Sequence, residues 1–246
     1  MQDYHIYHYS KKELIRYLLE GVAVSMILGY LFYQHLIGMI LLFPMVLLYM
    51  KRKKLWLAKE RRWKLNLEFM DGIQALSAAL EAGYSAEHAL EEAYRDLLHI
   101  YSDRSMIMKE FNYMINQVRM NITVEKALED FGIRSGVEDI RNFSEVFGTA
   151  KRTGGDLIQI IKISRDIICD KIEVKREIVT ITSAKRLEAN IMKFIPLFIL
   201  TYLMYSSPDF LKPLYHNLFG IFLMSIFLIL YLCAFLIIDR IVSIEV

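Results

Sequence analysis

The chain has 246 residues, 55% of them hydrophobic and 24% charged, with 2 Cys, 4 Pro and a formal net charge of +2. A mean hydropathy of +0.30 is too high for an ordinary soluble domain, and a quarter charged is too much for a chain lying wholly in lipid. Charge so close to zero argues against nucleic-acid binding, the cysteine count rules out a disulfide scaffold and the apolar content rules out disorder, which leaves a membrane protein with a polar domain.

Residues 1–16 carry Lys11, Lys12 and Arg16 and read as a cytoplasmic N-terminus, with no A-x-A cleavage pattern behind it. Between Gly21 and Met50 there is no Asp, Glu, Lys or Arg. One helix of that length would run about 45 Å, beyond a hydrocarbon core of about 30 Å. The expectation is a transmembrane hairpin over 17–50, two short spans at 17–33 and 36–50, with a single strongly tilted span as the alternative. Gly21, Ser25 and Gly29 form a small-residue stripe that permits close helix packing. The juxtamembrane stretch 51–64 (KRKKLWLAKERRWK) holds eight Lys or Arg against one Glu, a cluster that stays in the cytoplasm.

From 65 to 190 apolar residues recur at three and four positions, which predicts a cytoplasmic helical domain. The first helix, 66–82, carries Phe69, Ile73, Leu76 and Leu80, and Gly83 suits its left-handed end. Ser85 caps a second helix over 86–101 with Leu90, Ala93, Tyr94, Leu97 and Tyr101 inward; a third covers 104–119. Thr123 caps a short fourth helix to Phe131, Gly132 and Gly136 punctuate, and a fifth, 137–151, carries Ile140, Phe143, Phe147 and Ala150. After Gly154-Gly155, Asp156 is a candidate N-cap. From there no Gly or Pro occurs until Pro196, after 39 intervening residues, about 60 Å if helical. That predicts a rod, the alternative being a break near Thr180–Ser183 where propensity falls. A third span over 191–206 and a fourth over 218–238 make a second transmembrane pair within 191–238, joined by an external loop at 207–217 that contains Pro208 and Pro213. Residues 239–246 are then a cytoplasmic C-terminus. The fold class expected is all-α, a polytopic membrane protein with a cytoplasmic antiparallel helical bundle between two transmembrane helix pairs.

Segment charges separate what the average conceals: +7 over 51–64, −7 over 65–156 and +3 over 157–193. An acidic bundle suits a basic partner, and its basic connections suit anionic lipid headgroups. No nucleotide-binding order, zinc spacing or nucleophile elbow is present, so neither catalysis nor a cofactor or metal is expected. Lys193 and Asp239 lie at span ends, so no ionisable route through lipid is offered, which disfavours a small bundle-gated channel or transporter. A membrane-anchored signalling adaptor is the other alternative.

A weak repeat stands out. GYSAEHAL (83–90) and NITVEKAL (121–128) share a turn residue, an apolar residue, Ser or Thr, a Glu in the first helical turn and Ala-Leu. The repeated pairs are Ser85 and Thr123 as caps, with Ala89-Leu90 and Ala127-Leu128 starting each buried stripe.

With its preceding helix (ALSAALEAGYSAEHAL, 75–90), the second repeat, FGTAKRTGGDLIQII (147–161) and SAKRLEANIMKFIPLFIL followed by SSPDFLKPLYHNLFG, the chain resembles the type II secretion system F-domain family, most closely the tight-adherence (Tad) pilus branch. The family-motif positions are Gly83, Ser85, Ala89, Leu90, Thr123, Ala127, Leu128, Gly154, Gly155, Asp156, Leu157 and Pro196. The resemblance implies a single F domain and a non-enzymatic platform in the inner membrane, and the basic residues flanking the spans place both termini in the cytoplasm. Its implied partners are a hexameric secretion ATPase, pilin or pseudopilin subunits, and a second platform protein or further copies of the chain. At Lys151-Arg152-Thr153-Gly154 the sequence departs from the pattern, because many members carry an acid before the glycine.

Overall fold

The computed structural model describes residues 4, 7, 9–35, 42–153, 157–215 and 217–242. Among them the regular structure is helical throughout, with no strand. In chain order the helices are α1 (Lys11–Tyr33), α2 (Phe43–Glu81), α3 (Ala86–Leu98), α4 (Met106–Arg119), α5 (Val124–Ser135), α6 (Glu138–Thr153), α7 (Leu157–Ser206), α8 (Pro208–Tyr215) and α9 (Leu218–Val242). They gather into two compact units, Met1–His8 with Lys54–Val174, and Tyr9–Lys53 with Lys175–Val246.

The first unit is built on apolar stripes at helical spacing. Along α2 Leu65, Phe69, Ile73, Leu76 and Leu80 are buried, and α3 adds Ala89, Leu90, Ala93 and Leu97. Ile107, Phe111 and Met114 of α4, Phe131 of α5, Phe143 and Phe147 of α6 and Ile161, Ile168 and Ile172 of α7 complete one core. Its aromatic centre is Phe69, which meets Phe131 edge-on at 5.8 Å and Phe143 at 5.6 Å between ring centroids. Two buried carboxylates join elements far apart in sequence. Glu68 accepts the backbone N–H of Ile107 at 2.9 Å, capping α4 from α2. Asp139 accepts from Asn66 Nδ2 at 2.8 Å and from Lys171 Nζ at 2.6 Å, tying α6 to α2 and α7.

Several boundaries differ from the sequence-based expectation. The predicted 66–82 helix is the last part of α2, which also takes in the basic stretch 51–64 as helix. Gly132 does not punctuate. It is buried inside α5, and a Cβ there would lie 2.8 Å from Ser144 Oγ and 3.1 Å from the Arg141 Cα, so glycine serves the close approach of α5 to α6. Only Gly136, left-handed at φ 61°, ends that helix. Tyr101 lies outside α3 and packs on the core from the following turn, its hydroxyl donating to Asp71. Along α7 there is no break at 180–183, where the hydroxyls of Thr180, Thr182 and Ser183 donate to carbonyls of the preceding turn.

In the second unit α1 and the start of α2 run antiparallel in contact: Tyr9 donates to the Met50 carbonyl at 2.8 Å, and Gly21 faces Val46 and Tyr49. Of the expected second span, 36–41 lie outside the described residues, and α2 holds only eight residues before Lys51. A second apolar cluster joins Leu28 and Phe32 of α1 to Leu211 and Tyr215 of α8 and Met224 and Leu228 of α9. Residues 207–217, expected as a loop, are helical over Pro208–Tyr215. Pro208 occupies the first helical position, where its missing N–H costs nothing. Lys193 on α7, 8% exposed, pairs with Asp239 on α9, so two residues noted only as span ends meet each other.

Three helical stretches among the described residues are long and apolar enough to cross a membrane, Lys11–Tyr33, Ile158–Ser206 and Phe219–Ile241. Phe198, Tyr202, Phe219, Phe222 and Leu230 on α7 and α9 are exposed, a band of apolar surface that water would not tolerate and lipid would cover. The chain is therefore read as a membrane protein.

Candidate functional site

The two repeats occupy corresponding places in the first unit. Each begins by closing the preceding helix with a Schellman turn. At the end of α2, Gly83 takes φ 89°, its N–H reaches the Leu80 carbonyl at 3.0 Å and the Tyr84 N–H reaches that of Ala79 at 3.2 Å. At the end of α4, Asn121 takes φ 63°, its N–H reaches Val118 at 3.0 Å and the Ile122 N–H reaches Gln117 at 3.0 Å. The shared turn residue is thus the left-handed position, filled once by glycine and once by asparagine, the two residue types that tolerate it best.

The next two steps start a new helix. Ser85 has the extended dihedrals of an N-cap and accepts the His88 N–H at 3.3 Å. Thr123 has matching dihedrals, but its hydroxyl makes no capping bond to the backbone, so the expected cap is geometric only. Ala89, Leu90, Ala127 and Leu128 are buried in the common core.

What the repeats bring together is a charge cluster. Glu87 in the first turn of α3 and Glu125 in the first turn of α5 converge on Lys151, in the last turn of α6, at 3.2 and 3.1 Å. The carboxylates sit at helix N-termini and the ammonium at a helix C-terminus, so all three side chains complement the macrodipoles as well as one another. The Glu87 carboxyl is held below its ordinary range first by its own backbone N–H and then by Lys151, against the opposing effect of burial. For Glu125 burial is the largest influence and acts upward, yet the backbone N–H and Lys151 outweigh it and the net shift is down. Lys151 is raised in spite of burial, by bonds to Glu125 and Glu87. Lys151 therefore has a local partner set in this chain.

Beside this cluster lies a groove of about 550 Å³ between the start of α5 and the end of α6, lined by Thr123, Glu125, Glu129, Ser144, Thr149 and Arg152 among others. Its lining side chains are polar and carry both signs of charge. Among the described residues no three His, Cys, Asp or Glu side chains are grouped to hold a metal ion.

No family model, curated protein or solved structure matches this chain.

The remaining predicted positions are dispersed. Gly154, Gly155 and Asp156 lie outside the described residues, and Leu157 opens α7. Pro196 sits inside α7. Gly21, Ser25 and Gly29 share the buried face of α1, where a Cβ at Gly21 would meet Val46 Cγ1 at 3.0 Å and Ser25 donates to the Gly21 carbonyl at 2.7 Å. The sequence reading missed the role of Lys151. The available signal was that two glutamates hold the same place in a repeat, which makes a shared cation partner worth seeking.

Replacing Lys151 with methionine leaves two carboxylates facing one another without their counter-charge. Since Glu87 is about half exposed, the expected loss is that of a surface network, about 0.5–1 kcal/mol at neutral pH, read by thermal unfolding of the full-length protein in detergent. Lowered carboxyls contribute stability above their ordinary range and lose it as pH falls through the lowered values. A raised lysine contributes below its ordinary value and loses it as pH rises through the raised one. The difference between wild type and variant should hold across neutral pH and shrink at both ends. A difference that stayed flat into acid would show that Lys151 acts through packing alone.

Proposed function

We propose that this chain is the inner-membrane platform of a type IV, Tad-like pilus or of a related type II secretion machine, coupling a cytoplasmic ATPase to pilin assembly. The observation that supports this most is α7. A single helix of 50 residues carries Ile161, Ile168 and Ile172 into the core of the first unit and continues through the apolar stretch 191–206. A helix shared in this way can pass displacement along its axis from the core as far as Pro196, at the start of the apolar stretch, which is what transmission from a motor to a filament in the membrane requires.

In this reading the first unit is a single F domain, an antiparallel bundle in the cytoplasm between two transmembrane pairs. Its excess of acids from 65 to 156 is the surface offered to basic residues of a hexameric ATPase. The basic stretch 51–64 rests on anionic headgroups, both termini stay cytoplasmic, and a second platform protein or another copy of the chain completes the assembly. The role is mechanical and non-enzymatic, with no cofactor.

The test is co-purification from detergent-solubilised membranes of the host. The expected result is retention of the secretion ATPase by the tagged full-length chain, weakened at least several-fold above about 0.5 M salt, because the contact is electrostatic. A chain that retains no ATPase at low salt, or that carries ions or solutes across vesicles when purified, overturns the reading in favour of a channel or adaptor.

A further inference from the structure

The helix α7 carries two apolar faces, and its own core covers one of them. Ile161, Ile168 and Ile172 point into the core of the first unit. Along the same continuous helix Ile160, Ile163, Ile167, Val174, Ile178 and Ile181 are spaced 3, 4, 7, 4 and 3 positions apart. At about 100° per residue these six fall within an arc of about 60°, roughly a third of a turn away from the core-facing set. With the charged position at 170–171 counted as one missing member, they cover 21 residues in six steps, the period of a coiled-coil seam. Ile163, Ile167, Val174 and Ile181 are between 51% and 68% exposed, and Ile160 and Ile178 are half-buried.

Neither water nor lipid suits this stripe. Six branched aliphatic side chains in one row form a contiguous apolar surface of the kind that marks a contact. Nine of the sixteen residues from Lys162 to Glu177 are charged, so hydrocarbon does not cover that part of the helix. A second helix with the same period would fit it, each side chain seating between those opposite.

The charges beside the stripe identify that helix. Asp166, Asp170, Glu173 and Glu177 lie along one edge, Lys171 and Lys175 along the other. When two such helices pack in the same direction, each acidic edge faces the basic edge of its neighbour, and a residue meets the one about five positions further on in the other chain. Asp166 then faces the second copy's Lys171, and Asp170 its Lys175. In antiparallel order acid would face acid and base would face base. Two copies inserted in one membrane with one topology present α7 in the same direction, so the orientation that the charges favour is the one that the membrane imposes. Lys171 binds Asp139 of its own chain, but its side chain stays half exposed and keeps donors for another carboxylate. We propose that the exposed isoleucine seam of α7 is the contact through which the chain pairs with a second copy of itself, parallel and in register. This sharpens one clause of the platform reading, the identity of the completing partner, and rests only on the chain lying in a membrane. It can fail while the ATPase contact holds, and the reverse.

The experiment is disulfide cross-linking of the full-length chain in membranes of an expression host, on a background with Cys169→Ser and Cys233→Ser. Single cysteines go on the seam, Ile167→Cys and Ile181→Cys, or on the opposite side of the same helix, Arg176→Cys and Leu187→Cys, both exposed. In parallel register each seam cysteine meets its own counterpart. Mild oxidation should therefore give at least tenfold more covalent dimer from the seam positions than from the far side. Asp170→Lys and Lys175→Asp should each cut the Ile167→Cys dimer several-fold, and the two together should restore it, because the exchange rebuilds the pair across the seam. Circular dichroism matching the wild type in each variant separates a lost contact from a lost fold. Equal dimer from both sides of the helix, or no dimer from the seam of the folded protein, overturns the proposal. So does a product joining the chain to a different protein, or a charge exchange without effect.

Discussion

Replacing Phe69 with alanine should lower the unfolding free energy of the first unit by about 3–5 kcal/mol, the cost of removing a large buried ring that its surroundings cannot refill. The ring is 1% exposed and stands between Phe131 and Phe143, both meeting it edge-on. Those partners come from α5 and α6, while Phe69 comes from α2, so the cavity would open where three helices meet and none could close it by a local shift. Thermal unfolding of the full-length protein in detergent, followed by circular dichroism, reads the loss. Phe69→Leu should recover part of it, and Ile133→Ala, at an exposed position of α5, should cost almost nothing. A Phe69→Ala protein that melts with the wild type would mean that the aromatic contacts do not hold these helices together.

The second large effect concerns function. Under the proposed platform role, a flexible Gly-Ser segment inserted after Thr182 should abolish piliation in the host while leaving the protein in the membrane at normal level. Around that site the helix is continuous although threonine is a poor helix former, and the hydroxyls of Thr180, Thr182 and Ser183 are satisfied by carbonyls of the preceding turn. A Gly-Ser insertion adds backbone freedom in the middle of the helix, so displacement at one end of α7 would no longer reach the other. An alanine-rich insertion of about seven residues, roughly two turns, keeps both stiffness and helical face and should retain part of the activity. Normal pili in the Gly-Ser variant would remove transmission through α7 from the proposed mechanism, and equal defects in both variants would make length rather than stiffness the requirement.

The parts of the fold that could be read in the sequence are those encoded within a few residues. The stripe of Phe69, Ile73, Leu76 and Leu80 is visible because buried positions recur every three or four residues. The left-handed turn at Gly83 is visible because glycine there interrupts that stripe. Misreadings arose where one residue type serves two purposes. Gly132 resembles a breaker but is a contact glycine, and Pro208 resembles a loop marker but opens a helix. What could not be read is pairing across distance. Glu68 caps a helix 39 positions away, Tyr4 meets Glu110 across 106 positions and Lys193 meets Asp239 across 46. Each residue alone has the composition of an ordinary surface position, and only the packed core brings its partner near. The Lys151 cluster is intermediate, since the repeat marks its two glutamates while the lysine carries no local sign of its role.

The division of the chain also orders its synthesis. The second unit is assembled from Tyr9–Lys53 and Lys175–Val246, and the residues between them belong to the first. Tyr33 on α1 waits for Ser225 on α9, and the Leu31 carbonyl waits for the Tyr215 hydroxyl. At ribosomal rates of about 5–20 residues per second, the intervening stretch takes on the order of 10 s to emerge. For that time the buried face of α1 has no partner from its own C-terminal half, while the segment still being translated packs largely through neighbouring helices. Biogenesis therefore requires that something else, lipid or an insertion factor, shelter the first apolar helix until the last ones arrive.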